Sequence, residues 1–224
     1  MHQASSTALS RVFTILAVLL ICKVTWSVVI GYRNYLPPNF ESDFLQGRES
    51  YFWGAYGWAF YLHLMSGPAT LLLGTILVSD RFRRMTPTWH RRLGRVQGVC
   101  VLLLLAPSGL WMAWYAATGA VAAAGLGSLA IATAACVLRG WKAAVEKRFA
   151  DHQRWMWRTY MLLISAVVIR MIGGLATVAG IDVLWLYPFS TWASWLVPLL
   201  VFEMVQGLDP PHQPAAIQLE SNKL

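Results

Sequence analysis

Two short runs concentrate the residues able to do chemistry: Thr88-Trp89-His90-Arg91-Arg92-Leu93-Gly94-Arg95 and Asp151-His152-Gln153-Arg154-Trp155-Met156-Trp157-Arg158. Each sets one imidazole ahead of several guanidinium groups and then enters a long apolar segment. Neutral imidazoles on two neighbouring helices can bracket a haem iron, with Arg95, Arg154 and Arg158 holding propionates. The same groups suit a quinone head, and they equally suit phospholipid phosphates at a membrane surface. His90 and His152 are the metal-ligand candidates on the first of these readings.

A second set is scattered through apolar sequence. Arg170 lies twelve residues beyond Arg158, about 18 Å along a helix. An arginine at that depth costs at least about 3 kcal/mol on insertion scales unless it faces protein, water or an anion. Ala166, Gly173, Gly174 and Thr177 share its helical face, which implies a close-packed interior. Glu203 and Asp182 are the nearest acids in depth and neither matches, so an external anion such as a carboxylate or phosphate is a fitting partner. His63 shares a stripe with Tyr56, Gly67, Thr70 and Gly74 that points into a bundle. Lys23 sits at a depth similar to Arg170. If Lys23, Arg170 and His63 meet, they form an electropositive pocket for an anionic ligand.

The elements that position these residues follow from composition. The chain has 224 residues, 57% hydrophobic and 12% charged, about half the charge of a soluble domain. Several windows reach the roughly 20 apolar residues that cross a bilayer. The fold class is therefore all-α, a polytopic transmembrane bundle of one domain over residues 1–206. Its spans are expected near 12–30, 56–78, 95–115, 121–138, 159–180 and 189–206. The tail, 207–224, is Pro- and Gln-rich and expected to be disordered. Thr86-Pro87 reads as an N-cap and first helical residue, so the third helix starts before the membrane and carries His90. Asp151 is placed to cap the fifth helix. The Ala- and Gly-rich fourth span should be central, because small residues let helices approach closely in lipid.

Six of the 18 Lys+Arg lie in 80–95 and six more in 139–158. The positive-inside rule makes both loops cytoplasmic, and six spans put both termini there too. The location this implies is a multi-pass protein of the plasma membrane, a bacterial inner membrane. Tyr51, Trp53, Trp114, Tyr115, Trp185 and Tyr187 then form an aromatic belt at the outer face. The net charge of +8 reports topology, not a nucleic-acid partner. Cys22, Cys100 and Cys136 fall inside spans without metal spacing and read as buried thiols. No phosphate loop, dinucleotide fingerprint, nucleophile elbow or Cys-x-x-Cys is present.

Several separated motifs occur in one order: His63-x-x-x-Gly67, Leu71-Leu72-Leu73-Gly74, His90-Arg91-x-x-Gly94-Arg95, His152-x-Arg154-Trp155-Met156-x-Arg158 and Val168-Ile169-Arg170. Over roughly Trp58 to Met171 the chain resembles the domain of unknown function 2306 family of polytopic, mostly bacterial membrane proteins. It departs from that pattern at Val96-Gln97, where an aromatic is expected. The resemblance implies a membrane domain of six or seven helices but no chemistry. It singles out His63, His90, Arg95, His152, Arg158 and Arg170.

The leading expectation is a membrane protein that binds haem b, a quinone or another anionic lipophilic ligand in its bundle. His63, Arg95, Arg154, Arg158, Arg170 and Lys23 are the ligand-binding candidates, and membrane lipid is the expected partner. One alternative is a non-catalytic subunit or assembly factor that docks a membrane-protein partner on its basic face. Another is a transporter of small anions or lipid, although inverted repeats and broken helices are not evident in the sequence. Whether any reaction is catalysed is left open.

Overall fold

The structure, a computed structural model, describes residues 2–42 and 44–208, with side chains described for residues 11–42 and 44–207. The expectation of a disordered tail beyond Leu208 lies outside the described residues. Among the described residues, six helices are long and apolar enough to cross a membrane. They are α1 (His2–Gly31), α2 (Gly57–Leu77), α3 (Pro87–Trp114), α4 (Ala120–Val145), α5 (Phe149–Val178) and α6 (Leu186–Leu208). No strand occurs among the described residues, so each crossing satisfies its backbone within its own helix, as lipid requires.

The spans agree with the hydropathy reading in number and order, and their starts have local causes. Pro87 occupies the first turn of α3, where its missing N–H costs nothing. Thr86 does not cap that helix with its side chain. Its hydroxyl is taken by the Phe82 carbonyl at 2.9 Å, in the short helix Asp80–Met85 that precedes it. Asp151 is not the cap of α5 either, because the helix starts two residues earlier at Phe149. Its carboxylate pairs with Arg148, which Glu146 also holds at 2.6 Å. These two acids raise the Arg148 pKa above its usual value.

Two spans are irregular where the sequence pattern reads as smooth. In α3 the turn widens to a π-type helix over Val101–Leu105, just before Pro107, which has no N–H to return to the preceding turn. Ser108 ties this region together by donating to the Leu104 carbonyl at 2.5 Å. In α5 the helix breaks at Ile164 and restarts at Ser165. Both irregularities border the same interior space.

Packing bears out the expected central place of α4, the most enclosed of the spans, with 39% of its apolar window buried against 11% for α1. Gly125 is where it meets α6: a Cβ there would lie 2.7 Å from Thr191 Oγ1 and 3.0 Å from Trp192 Nε1. Polar ties run along α2, as its stripe suggests. Gln97 Nε2 donates to the Thr70 carbonyl at 2.9 Å, and Thr75 Oγ1 meets the Tyr160 hydroxyl at 3.1 Å.

The connection from α1 to α2 is a folded cap, not a plain loop. Leu45 is fully buried, with Phe52, Tyr56 and Phe60 packed around it. Arg48 is held inside this cap at 9% exposure. Its Nε donates to the Phe44 carbonyl at 2.6 Å and its Nη1 to the Tyr115 carbonyl at 3.0 Å. The expected aromatic belt splits accordingly. Trp53, Trp114 and Trp185 are exposed, whereas Tyr51 stacks on Tyr115 with ring centroids 4.9 Å apart and serves as packing.

Candidate functional site

At the basic end of the bundle the helices are in tight contact. His152 Nδ1 lies 2.9 Å from the Gly140 carbonyl and donates to it, which ties α5 to α4. His90 stands close enough to His152 for their charges to interact, and its Nδ1 is buried without a hydrogen-bond partner. The histidines are therefore brought together as expected, but they line neither of the two cavities described below. Gly98 lies under the Trp141 ring so closely that a Cβ would sit 2.6 Å from it. A porphyrin plane needs an open slot between such helices, and these residues do not fit one.

The arginines of this end divide by role. Arg158 reaches α6 in a two-point ion pair, Nε to Glu203 Oε1 at 2.5 Å and Nη2 to Oε2 at 2.8 Å. The fork expected for a propionate is thus filled by a carboxylate of the chain itself, and Glu203 is not a partner for Arg170. Trp155 lies against both Arg139 and Arg158, whose guanidinium carbons are 4.9 and 4.6 Å from its ring centroid. Arg95 and Arg154 are exposed and make no ion pair among the described residues. That placement suits lipid phosphates.

The larger cavity, about 640 Å³, lies toward the capped end. It is bounded by α1, α2, the part of α3 from Leu105 onward, the middle of α4, both halves of α5, the cap and the first half of α6. His63 and Arg170 both line it, joined by Arg48, Tyr32 and Tyr187. No Asp or Glu among the described residues lines it. Leu71, Leu105, Leu163 and Val167 supply apolar wall, and the hydroxyl side chains of Thr25, Ser27, Thr133, Ser165 and Ser194 are interspersed with them.

His63 is held from α3. Its Nδ1 lies 3.3 Å from Ser108 Oγ, and that hydroxyl spends its own proton on the Leu104 carbonyl. The oxygen is left as an acceptor, so Nδ1 carries the ring proton and Nε2 keeps a lone pair. Space for the ring comes from Gly109, where a Cβ would fall 3.1 Å from His63 Cε1.

Arg170 makes one hydrogen bond, Nη1 to the Ala166 carbonyl of its own helix at 2.7 Å. Its other donors have no protein partner among the described residues. The close-packed interior expected on its face is corrected by the geometry. Gly173 and Gly174 have open space beside them, and Ala166 and Thr177 are exposed. Lys23 does not reach the main cavity. It lines a smaller one of about 380 Å³ with Arg170, between α1 and α5.

Residues 60–206 match the family described as "Predicted membrane protein (DUF2306)". The chain belongs to this family. No curated protein and no solved structure matches it. The matched segment carries His63 and Arg170, while the cap and α1 stand before it.

Sequence reasoning missed Arg48, Tyr32, Tyr187 and Ser108. Arg48 stands outside both basic loops, and no motif or spacing marks it. The density of aromatics in 32–56 was the available signal that this stretch folds on itself. Ser108 carried none, since a serine in a span usually bonds its own helix.

Proposed function

We propose that this membrane protein holds an amphipathic anion, with a carboxylate or phosphate head at Arg170 and an apolar tail among Leu71, Leu105 and Leu163. One observation supports the reading: among the described residues, a guanidinium with a single hydrogen-bond partner faces a cavity whose walls hold two arginines and no acid. Arginine stays protonated, so an anion or a strongly electron-rich oxygen is what offsets its cost inside the membrane. The volume falls within the range of sites for small organic ligands, roughly 300–1,000 Å³.

A second reading, a quinone-type head, draws on His63. Its Nε2 lone pair would accept from a hydroxyl of the reduced, quinol form, and Arg170 would donate to a carbonyl of the oxidised, quinone form. The basic end, carrying Arg95 and Arg154, we place on the cytoplasmic side of the plasma membrane by the positive-inside rule.

Native mass spectrometry of protein released from mild detergent tests the reading. The wild type should carry about one bound amphiphile. Arg170→Gln should lose it, and Arg95→Gln should keep it. A bound isoprenoid quinone would favour the second reading. A stoichiometric protein partner with no small molecule would move the function to docking on the basic face, and equal loading of the wild type and both variants would sink the site.

A further inference from the structure

The smaller cavity bears on how the larger one is reached. It is walled by Lys23, Val24, Ser27 and Val28 of α1 and by Arg170 and Met171 of α5. Val24, Ser27, Val28 and Arg170 also line the larger cavity, so the two spaces adjoin along the same seam. Lys23 stands at its outer side, exposed and with no ion pair among the described residues. It lies near the middle of the first span, eleven residues from Asn34, or about 16 Å of helix. Two cations with no carboxylate beside them therefore flank one lipid-facing slot at membrane depth.

The wall carrying Lys23 is also the most weakly held. α1 is the least enclosed span, and apart from Ile21 and Thr25 its described side chains are at least partly exposed. Thr25, which lines the cavity, keeps a buried hydroxyl without a partner. A slot closed by such a helix opens at lower cost than one between α4 and its neighbours, because fewer packed contacts must be lost.

We infer that the occupant comes sideways from the bilayer through the seam between α1 and α5, its anionic head passing from Lys23 to Arg170 while its chain stays in apolar surroundings. The ligand is then a membrane amphiphile and not a water-soluble anion. This rests on the amphipathic-anion reading of the larger cavity. Lys23 is a positioning residue for the passage and Arg170 is the binding residue at its end.

Photocrosslinking in phosphatidylcholine vesicles tests the route. Two probes are used, a fatty acid and a phosphatidic acid, each with a diazirine on the acyl chain. The full chain is reconstituted, one probe is added, and crosslinked peptides are mapped after brief and long incubation. Early crosslinks should fall on 23–28 and 170–171, and later ones on cavity peptides around His63 and Leu105. The probe that reaches the cavity identifies the head as carboxylate or phosphate. Lys23→Gln should slow cavity labelling about tenfold, as expected for loss of one charge-assisted hydrogen bond. Lys23→Arg should restore it, which a merely misfolded variant would not do. Ser27→Trp, filling the seam from a second position, should slow labelling as well.

Cavity labelling at full rate in Lys23→Gln and Ser27→Trp would overturn the lateral route and leave the binding reading standing. Absence of cavity labelling by either probe in the wild type, with slot labelling unaffected by Arg170→Gln, would overturn both.

Discussion

Gly109→Ala tests whether His63 is held as described. The added methyl would lie 3.1 Å from His63 Cε1 and 3.4 Å from Nδ1, with Ala130 Cβ next at 3.9 Å. Only the imidazole is too close, by a few tenths of an ångström. The ring must turn, and turning it breaks the 3.3 Å contact with Ser108. Overpacking of this kind costs about 1–3 kcal/mol, so we take about 2 kcal/mol. At roughly 2–4 °C per kcal/mol for a chain of this size, the melting temperature should drop by about 4–8 °C. Scanning fluorimetry in detergent reads this directly. The informative comparison is a double-mutant cycle with His63→Ala. Once the imidazole is gone, the nearest atom is an ordinary van der Waals neighbour, and Gly109→Ala should cost within about 0.5 kcal/mol of nothing. An equal penalty in both backgrounds would refute the placement of the ring.

Other expectations follow from the same geometry. Glu203→Gln should destabilise by about 1–2 kcal/mol, the lower part of the range for charged hydrogen bonds because the carboxylate is 40% exposed; thermal melts of Arg158→Glu, Glu203→Arg and their combination should show partial recovery in the double variant. Gly125→Val should be far more damaging than Gly94→Ala, since Gly125 faces Thr191 at 2.7 Å and Gly94 faces open space; monodispersity on gel filtration separates the two, and equal behaviour would contradict the α4–α6 contact. Arg48→Lys should loosen the cap, because one ammonium cannot reach the Phe44 and Tyr115 carbonyls together; limited proteolysis within 32–56 should speed up several-fold. A cysteine placed at Gly47 should react with an impermeant maleimide on intact cells, whereas one placed at Lys147 should react only after the membrane is permeabilised.

How much of this was legible beforehand depends on what kind of interaction fixes each residue. Span number and order follow from hydropathy, which is local. The inward stripe of Tyr56, His63, Thr70 and Gly74 was legible as helical periodicity, and Thr70 is indeed 1% exposed. Arg170 was legible as a misplaced charge, because its cost needs no knowledge of neighbours. Its surroundings were not: Gly173 and Gly174 read as packing residues, whereas they border open space. The Arg158–Glu203 pair was also hidden, since 45 residues separate the partners and depth alone does not say which helices touch. The cap was the largest omission. Residues 32–56 are too short and irregular for periodicity to act on, and their core forms only when Leu45 and the surrounding aromatic rings converge in space.

The central claim is that a ligand head sits at Arg170 inside the larger cavity. A density map of the detergent-purified protein, obtained by electron cryo-microscopy with a bound antibody fragment, tests it most directly. The account predicts non-protein density in the larger cavity, with a polar head about 3 Å from the Arg170 guanidinium and a tail running past Leu105 and Leu163. A cavity filled by the protein's own side chains, with Arg170 paired to a carboxylate of the chain, would contradict it.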